Sequence, residues 1–306
     1  MRINDIETFR ALMSGGTARK AASLLGVTQP AVSQSIKRLE TEAGFLLFQR
    51  LHSRLVATPE AQVLLAETER MFVGISAIEH KLRSLRDFGV NQLDVACYPA
   101  FGLGFMPRAL ARLQQDNRAP SLPHVSLQVL SSQGVHARVA AGQSDFGLLA
   151  DEVSPDGLDH SRFASFAGIV VMPPGHPLAR FKLIKPQQLA EIPFLALNPE
   201  DASRRRLEAA LAEHGVSLRI AAHTPYAASV CEMALRGLGV GLVNPITALD
   251  YAERGLTVRK LSIDVGFACM LVMRAGRLLS GTAQQLLSSM RKQLVDDERR
   301  LKVYLR

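Results

Sequence analysis

The stretch TQPAVSQSIKRLET at residues 28–41, preceded by TARKAASLLGV at 17–27, decides the fold of the N-terminal part of the chain. On a helix with about 100° per residue, Val32, Ile36 and Leu39 share one face, which is therefore the face that packs. The opening threonine is a favourable N-cap, and a proline is tolerated in the first turn because its backbone N–H has no helical partner there. The opposite face offers small hydroxyl, amide and basic groups: Pro30, Ser33, Gln34, Lys37, Arg38 and Thr41.

Two shorter helices are predicted before this one. The first ends at Gly15–Gly16 and carries an apolar stripe: Ile6, Phe9, Leu12 and Met13. The second is capped by Thr17 and ends at Gly26. Because Ala21 and Ala22 are small, the next helix can approach the second one closely, and the pair is predicted to form a helix-turn-helix.

A wing is predicted after the helix-turn-helix. The segment LLFQRLHSRLVATPEA at 46–61 is typical of two short strands with basic residues between or beside them. Residues 1–58 contain eight basic and four acidic side chains, so they carry half of the net charge of +8 of the 306-residue chain. A basic excess favours a polyanionic partner. We therefore expect residues 1–58 to be a winged helix-turn-helix domain that binds double-stranded DNA.

The predicted DNA contacts come from the helix at 28–41 and from the wing. The major groove of DNA admits one helix, whose positive N-terminus and hydroxyl groups suit phosphates or base edges. Glutamine can bond adenine, basic groups can reach guanine or phosphate, and the wing can contact the neighbouring backbone or minor groove. The alternative, solvated polar side chains on a surface helix, is favoured for any one basic residue alone. The predicted set is Thr28, Gln29, Pro30, Ser33, Gln34, Lys37, Arg38, Arg50, His52 and Arg54.

A long linker helix is predicted over 59–90. Its apolar seam follows a 4-3-4-3-4-3 spacing, which is a heptad pattern of about three repeats. The seam consists of Leu64, Thr68, Met71, Ile75, Ile78, Leu82 and Leu85. An amphipathic helix on its own domain's core is the alternative, but the length and regularity favour a helix that dimerises the chain.

Strands alternate with helices over 91–306, which predicts an α/β effector-binding domain with parallel sheets covered on both faces. Strands are expected at 93–99, 125–132, 144–150, 169–173, 194–199, 218–224, 240–245 and 269–274, and helices at 103–116, 134–142, 201–214, 226–236 and 281–298. Two such sets with crossings between them imply two lobes and a cleft. The first lobe is expected at about 91–163 and 267–306 and the second at about 164–266, while the charged tail at 296–306 receives no role.

A small-molecule site is predicted in the cleft, at the carboxyl ends of the strands, where helix N-termini offer free N–H groups. The predicted effector-binding residues are Pro99, Ala100, Phe101, Ser131, Ser132, Asn198, Ser229, Asn244 and Pro245. Hydroxyl and amide groups of this kind can hold a small carboxylate, and Asp151 with Glu152 can pair with a cationic group. For each serine or asparagine alone, a helix cap is the favoured alternative.

Other classes of protein are disfavoured by the residues. The chain contains no GxSxG, HExxH or P-loop motif, and the eight histidines are scattered without metal-ligand spacing, so we expect no enzyme, no cofactor and no metal site. The three widely spaced cysteines and an N-terminus without a signal peptide favour the cytoplasm. The longest apolar runs have the length of strands, and no membrane span is expected.

The whole chain resembles the LysR-type transcriptional regulators. The resemblance is most specific over 6–59, and it continues in the GxxDFG pattern at 142–147, in PGHPL at 174–178 and in GxGxG at 237–241. Glu60-Ala61 stands where the family usually has a glycine after Thr-Pro, and this departure, with IDVGF at 263–267, is similar to the branch that senses opines and related amino-acid derivatives.

This resemblance implies a cytoplasmic regulator whose periplasmic-binding-protein-like domain switches operator binding when it binds an effector. It implies dimers paired into tetramers, and it leaves contact with RNA polymerase open. Two alternatives remain. An architectural DNA-binding protein would not explain about 200 residues of cleft-bearing lobes, and a solute receptor would not explain a basic helix-turn-helix.

Overall fold

The computed structural model describes residues 2–51, 54–88, 92–116 and 123–305. The chain divides into two compact units, Met1–Glu79 and His80–Arg306. The first unit contains α1 (Ile3–Gly15), α2 (Ala18–Leu25), α3 (Gln29–Ala43), β1 (Phe48–Leu51), β2 (Arg54–Ala57) and most of α4 (Pro59–Phe88). Its core is made by the apolar faces of these elements: Phe9, Leu12, Ala21, Ala22, Val32, Ile36, Leu39, Leu47 and Ala61.

The predicted helix ends of this unit are confirmed by their caps. The Thr17 hydroxyl accepts a hydrogen bond from the Lys20 N–H at 3.2 Å, and the Thr28 hydroxyl accepts one from the Ala31 N–H at 3.4 Å. Gly26 ends α2 in the left-handed region, where a side chain would be strained. These local contacts fix α2 and α3 as the helix-turn-helix.

The wing is tied to α3 by a single carboxylate. Strands β1 and β2 pair in antiparallel register, with Phe48 opposite Ala57. The Glu40 carboxylate of α3 accepts hydrogen bonds from the N–H groups of Leu47 at 2.8 Å and Phe48 at 3.1 Å. The orientation of β1 relative to α3 therefore depends on Glu40.

Helix α4 has a buried beginning and an exposed later part. Leu64 and Leu65 pack against the core of the first unit, and Thr68 is buried with its hydroxyl donating to the Leu64 carbonyl at 2.8 Å. Ile78 and Leu82 are each 62% exposed. The predicted seam is thus covered at its start and open farther along, while the side chain of Leu85 lies outside those described.

Two sheets form the second unit. The first contains β3 (Leu93–Cys97), β4 (Val125–Val129), β5 (Phe146–Ala150), β6 (Leu158–Ala167) and β13 (Gly266–Arg274), in the order β4-β3-β5-β13-β6. The second contains β7 (Ile169–Met172), β8 (Leu183–Ile184), β9 (Pro193–Leu197), β10 (Arg219–Thr224), β11 (Val240–Val243) and β12 (Thr257–Leu261), in the order β10-β9-β11-β7-β12-β8. Each sheet is the centre of one lobe.

Helices pack on both sheets and between them. They are α5 (Pro99–Gly102), α6 (Phe105–Asp116), α7 (Ser132–Ala140), α8 (Ala202–Ala212), α9 (Ala227–Leu235), α10 (Pro245–Ala252) and α11 (Gly281–Tyr304). Two short 3₁₀ helices occupy Pro177–Arg180 and Pro186–Leu189. The first lobe's core lies around Phe101, Phe105 and Met290, and the second lobe's cores lie on the two faces of β7 and β9.

The prediction of purely parallel sheets is wrong, because both sheets are mixed. Strand β13 runs antiparallel to β5 and β6, and β7 runs antiparallel to β11 and β12. The chain crosses between lobes twice, so each lobe receives a strand that runs against its neighbours. The first lobe also extends to Ala167 rather than 163, and the Gly168 N–H donates to the Val265 carbonyl at 2.8 Å where the two crossings meet.

The C-terminal helix is longer than predicted, and the charged tail belongs to it. Helix α11 continues to Tyr304 instead of ending near 298. Leu286 and Met290 lie in the core of the first lobe, whereas Leu301 lies in a core of the second. Asp297 is buried and accepts a hydrogen bond from Arg108 at 2.7 Å, so its charge is paired rather than solvated. The tail therefore joins the two lobes.

Candidate functional site

The polar face of α3 and the wing border one open groove of about 660 Å³. Its walls include Gln29, Ser33 and Lys37 from α3 and Arg50 from β1. All four side chains are exposed, and for Ser33 and Lys37 the helical periodicity predicted this exposure. Thr28, Pro30 and Gln34 are also exposed but do not line the groove, His52 lies outside the described residues, and nothing is described of the Arg54 side chain.

Arg38 has a role within the unit that the sequence did not predict. Its Nη2 atom donates to Asp5 Oδ1 at 2.6 Å and to Ser35 Oγ at 2.8 Å. The hydrogen bond from Arg38 lowers the pKa of the Asp5 carboxyl, whose side chain is only 4% exposed. The pair links α1 to α3, so this guanidinium fixes the position of the recognition helix, whereas sequence analysis had placed it only on the DNA.

The second site is a cavity of about 270 Å³ between the two lobes of the second unit. The first lobe contributes residues that follow β3, β4 and β5, and the second lobe contributes residues that follow β9, β10 and β11. Six of the nine predicted effector residues line it: Pro99, Ala100, Ser131, Ser132, Asn198 and Asn244. Effector contact by these six residues stays a prediction.

The other three predicted residues do not line the cavity. Phe101 is fully buried in the first lobe, with its ring centroid 5.0 Å from that of Phe105, because the single turn of α5 points this side chain inward. Pro245 is buried in the first turn of α10. Ser229 is half-buried on α9, where the helix turns it away from the cavity lining. The structure therefore does not bring these three residues to the cavity wall.

Several cavity residues also act as helix caps, which is the alternative that sequence analysis had weighed for the serines and asparagines. Ser131 Oγ accepts the Gly134 N–H at 3.2 Å, and Asn244 Oδ1 accepts the Thr247 N–H at 2.9 Å. Asp201 caps α8 by accepting the Ser203 N–H at 2.8 Å. The same residues therefore cap the helices and line the cavity, because each of these helices begins just after a strand ends at the cleft.

Ser132 and Glu152 form the most constrained polar pair of the cavity wall. Ser132 Oγ donates to Glu152 Oε1 at 2.6 Å and accepts the Ala150 N–H at 3.2 Å. Burial raises the pKa of the Glu152 carboxyl. The hydroxyl is thus held at the first turn of α7, beside the carboxylate.

The cavity is acidic. Four carboxylates line it, Asp151 and Glu152 from the first lobe and Glu200 and Asp201 from the second. None of the described lining residues is Lys, Arg or His. Glu200 and Asp201 were missed by sequence analysis, although they follow the end of β9 and precede a helix, which is the same signal that identified Asn198.

No group of three or more His, Cys, Asp or Glu side chains that could hold a metal ion occurs among the described residues. Within the same residues, none of the helices combines the length and the apolar character needed to cross a membrane. Cys97, Cys231 and Cys269 are free and buried, and burial raises the pKa of all three thiols. These thiols are therefore kept protonated and out of contact with solvent.

A winged helix-turn-helix, followed by a long helix and a two-lobed domain with a cleft, defines a ligand-responsive DNA-binding regulator. Comparison with known protein families leads to the same class of protein. Residues 3–62 match the family described as bacterial regulatory helix-turn-helix protein, lysR family, and residues 89–295 match the LysR substrate binding domain. The chain belongs to the LysR family of transcriptional regulators, which bind DNA and are not enzymes.

Individual relatives cover nearly the whole chain. The chain is 35% identical to the transcriptional activator protein LysR of Escherichia coli K12 over 286 residues, which cover 93% of this chain and 90% of that protein. It is 32% identical to the regulatory protein NocR of Agrobacterium fabrum, over 88% of this chain and 89% of that one. It is 30% identical to OccR of Rhizobium meliloti, the octopine catabolism/uptake operon regulatory protein, over 87% and 88%.

Solved structures share the fold at lower identity. Full-length CbnR complexed with its target DNA matches with a TM-score of 0.58 and 18% identity, covering 96% of this chain and 100% of that one. A Corynebacterium glutamicum OxyR C206 mutant matches with a TM-score of 0.56 and 18% identity, covering 99% and 96%. At this identity the likeness concerns the architecture of the fold alone.

Proposed function

We propose that this regulator senses a small amino-acid-like or opine-like molecule in the cavity between the lobes of its second unit, and that binding there switches its action on operator DNA. The observation that carries this proposal is the composition of the cavity. Residues of both lobes line it, and its four carboxylates have no basic residue among the described lining. A ligand with an amino or guanidino group would neutralise part of this charge.

A carboxylate on the same ligand would be bound at the beginning of α7. The N–H groups of Ser132 and Gln133 in the first turn of α7 can donate to an anion, while the Gly134 N–H donates to the Ser131 cap, and the Ser132 hydroxyl lies beside them. The cationic end would then face Asp151 and the acids of the second lobe. The name of OccR, which refers to octopine, supports an amino-acid derivative with both kinds of group.

The operator contacts belong to the groove between α3 and the wing. Gln29, Ser33 and Lys37 would face the major groove, and Arg50 would contact the adjacent backbone. Thr28, Pro30 and Gln34 would extend the contact along α3, with His52 and Arg54 at the wing. Arg38 would act on DNA mainly by holding α3 in position.

The assembly would be a dimer joined through α4, paired into a tetramer by the second units. The exposed Ile78 and Leu82 support this pairing, because two such seams would cover each other. The protein would act in the cytoplasm, where its operator lies. A regulator that binds at a promoter would also be placed to contact RNA polymerase.

A ligand panel titrated into the full-length chain tests the effector proposal. The panel contains L-arginine, L-lysine, octopine, L-citrulline, L-norleucine and succinate, with thermal shift as the first readout and calorimetry as the second. We expect ligands with both a carboxylate and an amino group to raise the melting temperature, with those that carry an additional cation bound most tightly. Stronger binding of succinate than of any amino compound, or no binding by the whole panel, would contradict the proposed effector class.

A further inference from the structure

One ion pair joins the two lobes at the cavity. Arg206, on α8 of the second lobe, donates from Nη1 to Asp151 Oδ2 at 2.9 Å and from Nη2 to Asp151 Oδ1 at 3.2 Å. Asp151 directly follows β5 of the first lobe. The contact is bidentate, which is the geometry in which a guanidinium fits a carboxylate best.

The two partners differ in their relation to the cavity. Asp151 lines the cavity, whereas Arg206 approaches it from outside the lining. Arg206 therefore supplies, from the opposite lobe, the cation that the described lining lacks. Both side chains are partly exposed, at 39% for Arg206 and 30% for Asp151, so the pair can exchange with a competing ion.

Arg206 is also bonded differently from the arginines beside it. Arg204 bonds within its own lobe, to the Leu197 carbonyl at 2.8 Å and to Glu208 at 2.9 Å, and Arg205 donates to the Glu200 carbonyl. The Nε atom of Arg206 is buried and has no hydrogen-bond partner among the described residues. The interlobe carboxylate is thus the acceptor that orients the Arg206 guanidinium.

We propose that Asp151 is the subsite for the cationic group of the effector, and that Arg206 occupies this subsite in the effector-free domain as a built-in competitor. This inference rests on the proposed function and names the part of the cavity that selects charge. An arriving guanidino or amino group replaces Arg206 on Asp151, and the direct bond between the lobes becomes a bond through the ligand. Because a ligand shifts a conformational equilibrium only by its difference in affinity for the two states, this exchange couples charge recognition to the relative position of the lobes.

L-Arginine and L-citrulline are the probes that isolate this effect, because they have nearly the same shape and differ in the charge of the terminal group. Calorimetry measures both on the full-length wild type, on Arg206→Gln and on Arg219→Gln. Arg219→Gln is the matched control, since it removes an exposed arginine of the same lobe whose side chain makes no hydrogen bond or ion pair among the described residues.

We expect the affinity to change for only one of the two ligands and in only one of the two single variants. Arg206→Gln should bind L-arginine about two- to fivefold more tightly than the wild type, the range of a partly exposed ion pair, and should bind L-citrulline unchanged. Arg219→Gln should leave both affinities unchanged. Adding Asp151→Asn to Arg206→Gln should lower the affinity for L-arginine to that for L-citrulline.

Equal changes for both ligands, no change for L-arginine, or no binding of L-arginine to Arg206→Gln would overturn the inference. The proposed function fails by a different result, in which no member of the larger panel binds or in which binding is unaffected by Ser132→Ala together with Asn198→Ala. Near-ultraviolet circular dichroism of each variant shows whether its fold is intact, and Arg206→Gln alone tests the competition if the double variant does not fold.

Discussion

The groove at α3 and the cavity between the lobes are opposite in charge and in construction. The groove has Lys37 and Arg50 on its walls, with Glu40 already bonded to two N–H groups of the wing segment, whereas the cavity has four carboxylates and no basic residue in its described lining. Most polar residues of the groove come from a single helix, while the cavity is assembled from the ends of six strands. The net charge of +8 therefore describes neither site: the basic groove suits DNA, and the acidic cavity suits the cationic group of the effector proposed above.

The largest expected effect comes from a substitution that unfolds one unit while the other unit stays folded. Phe9→Ala removes a fully buried ring from the core of the first unit and should lower its free energy of unfolding by about 3–5 kcal/mol. Operator binding should be lost while ligand binding in the cavity persists. Phe101→Ala, which removes an equally buried ring from the first lobe, should have the reverse effect. Urea unfolding, followed by operator and ligand titrations, distinguishes the two, and identical behaviour of both variants would contradict two separate cores.

The next effect concerns the exposed part of α4. Ile78→Asp with Leu82→Asp should weaken dimers by at least about 2 kcal/mol, because each seam would then bury charged groups. Sedimentation velocity should show smaller species at the same protein concentration. Val63→Asp is the matched control, since Val63 is 71% exposed on the same helix but lies outside the heptad seam. If the double variant sediments like the wild type, α4 does not dimerise the chain.

The contact of α3 with DNA should have a moderate effect. Lys37→Ala should weaken binding to an operator selected from a random duplex pool by roughly 1–3 kcal/mol for a lost base contact, with a smaller salt dependence if the contact is to phosphate. Fluorescence anisotropy at several salt concentrations measures both quantities. Lys182→Ala removes the same charge from an exposed site in the second unit and should bind as the wild type does. Equal losses in the two variants would show that only overall charge matters.

The smallest expected effect distinguishes two roles of Arg38, the positioning of α3 through Asp5 and direct contact with DNA. Because Arg38 holds the folded pKa of Asp5 below its usual 3.8, this pair stabilises the first unit above that pH and loses its contribution as the pH falls through the folded pKa. Arg38→Gln should therefore be less stable than the wild type at pH 7, and the difference should disappear in strong acid. Urea unfolding between pH 2 and 7 measures it, with Lys37→Gln as the control on the same helix. A difference that is independent of pH would exclude the Asp5 pair as its source.

The first unit could be predicted from the sequence because its signals are local. Thr17, Thr28 and Gly26 fix the helix ends by contacts within a few residues, and Val32 and Ile36 follow one helical face. Arg38 is the exception, since its partner Asp5 is 33 residues away and has no pattern that links it to α3. Periodicity identifies the face of a residue but not its partner.

The cavity could be predicted only in part, because its residues meet through the topology of the chain. The rule that ligands lie beyond strand ends identified Ser132 and Asn198. It included Phe101 wrongly, since one helical turn suffices to direct a side chain into the core. Strand β6 was missed because its sequence, LDHSRFASFA, has four consecutive polar residues and no regular alternation, and without it the mixed order of the first sheet could not be placed. Arg206 has no local signal at all.

The proposed control of DNA occupancy by the cavity can be measured by a footprint with and without ligand. Full-length wild type and Ser132→Ala are bound to the selected operator, and DNase I protection is measured with the panel ligand that binds most tightly to the wild type. Ser161→Ala, an exposed serine on β6, is the control. We expect the ligand to change the spacing or extent of protection in the wild type and in Ser161→Ala. In Ser132→Ala, which loses a hydrogen bond of about 1 kcal/mol, the same change should require a several-fold higher ligand concentration. A footprint that the ligand leaves unchanged in the wild type would show that the ligand does not control DNA occupancy. A footprint that changes at the same ligand concentration in Ser132→Ala would show that this control does not act through the cavity.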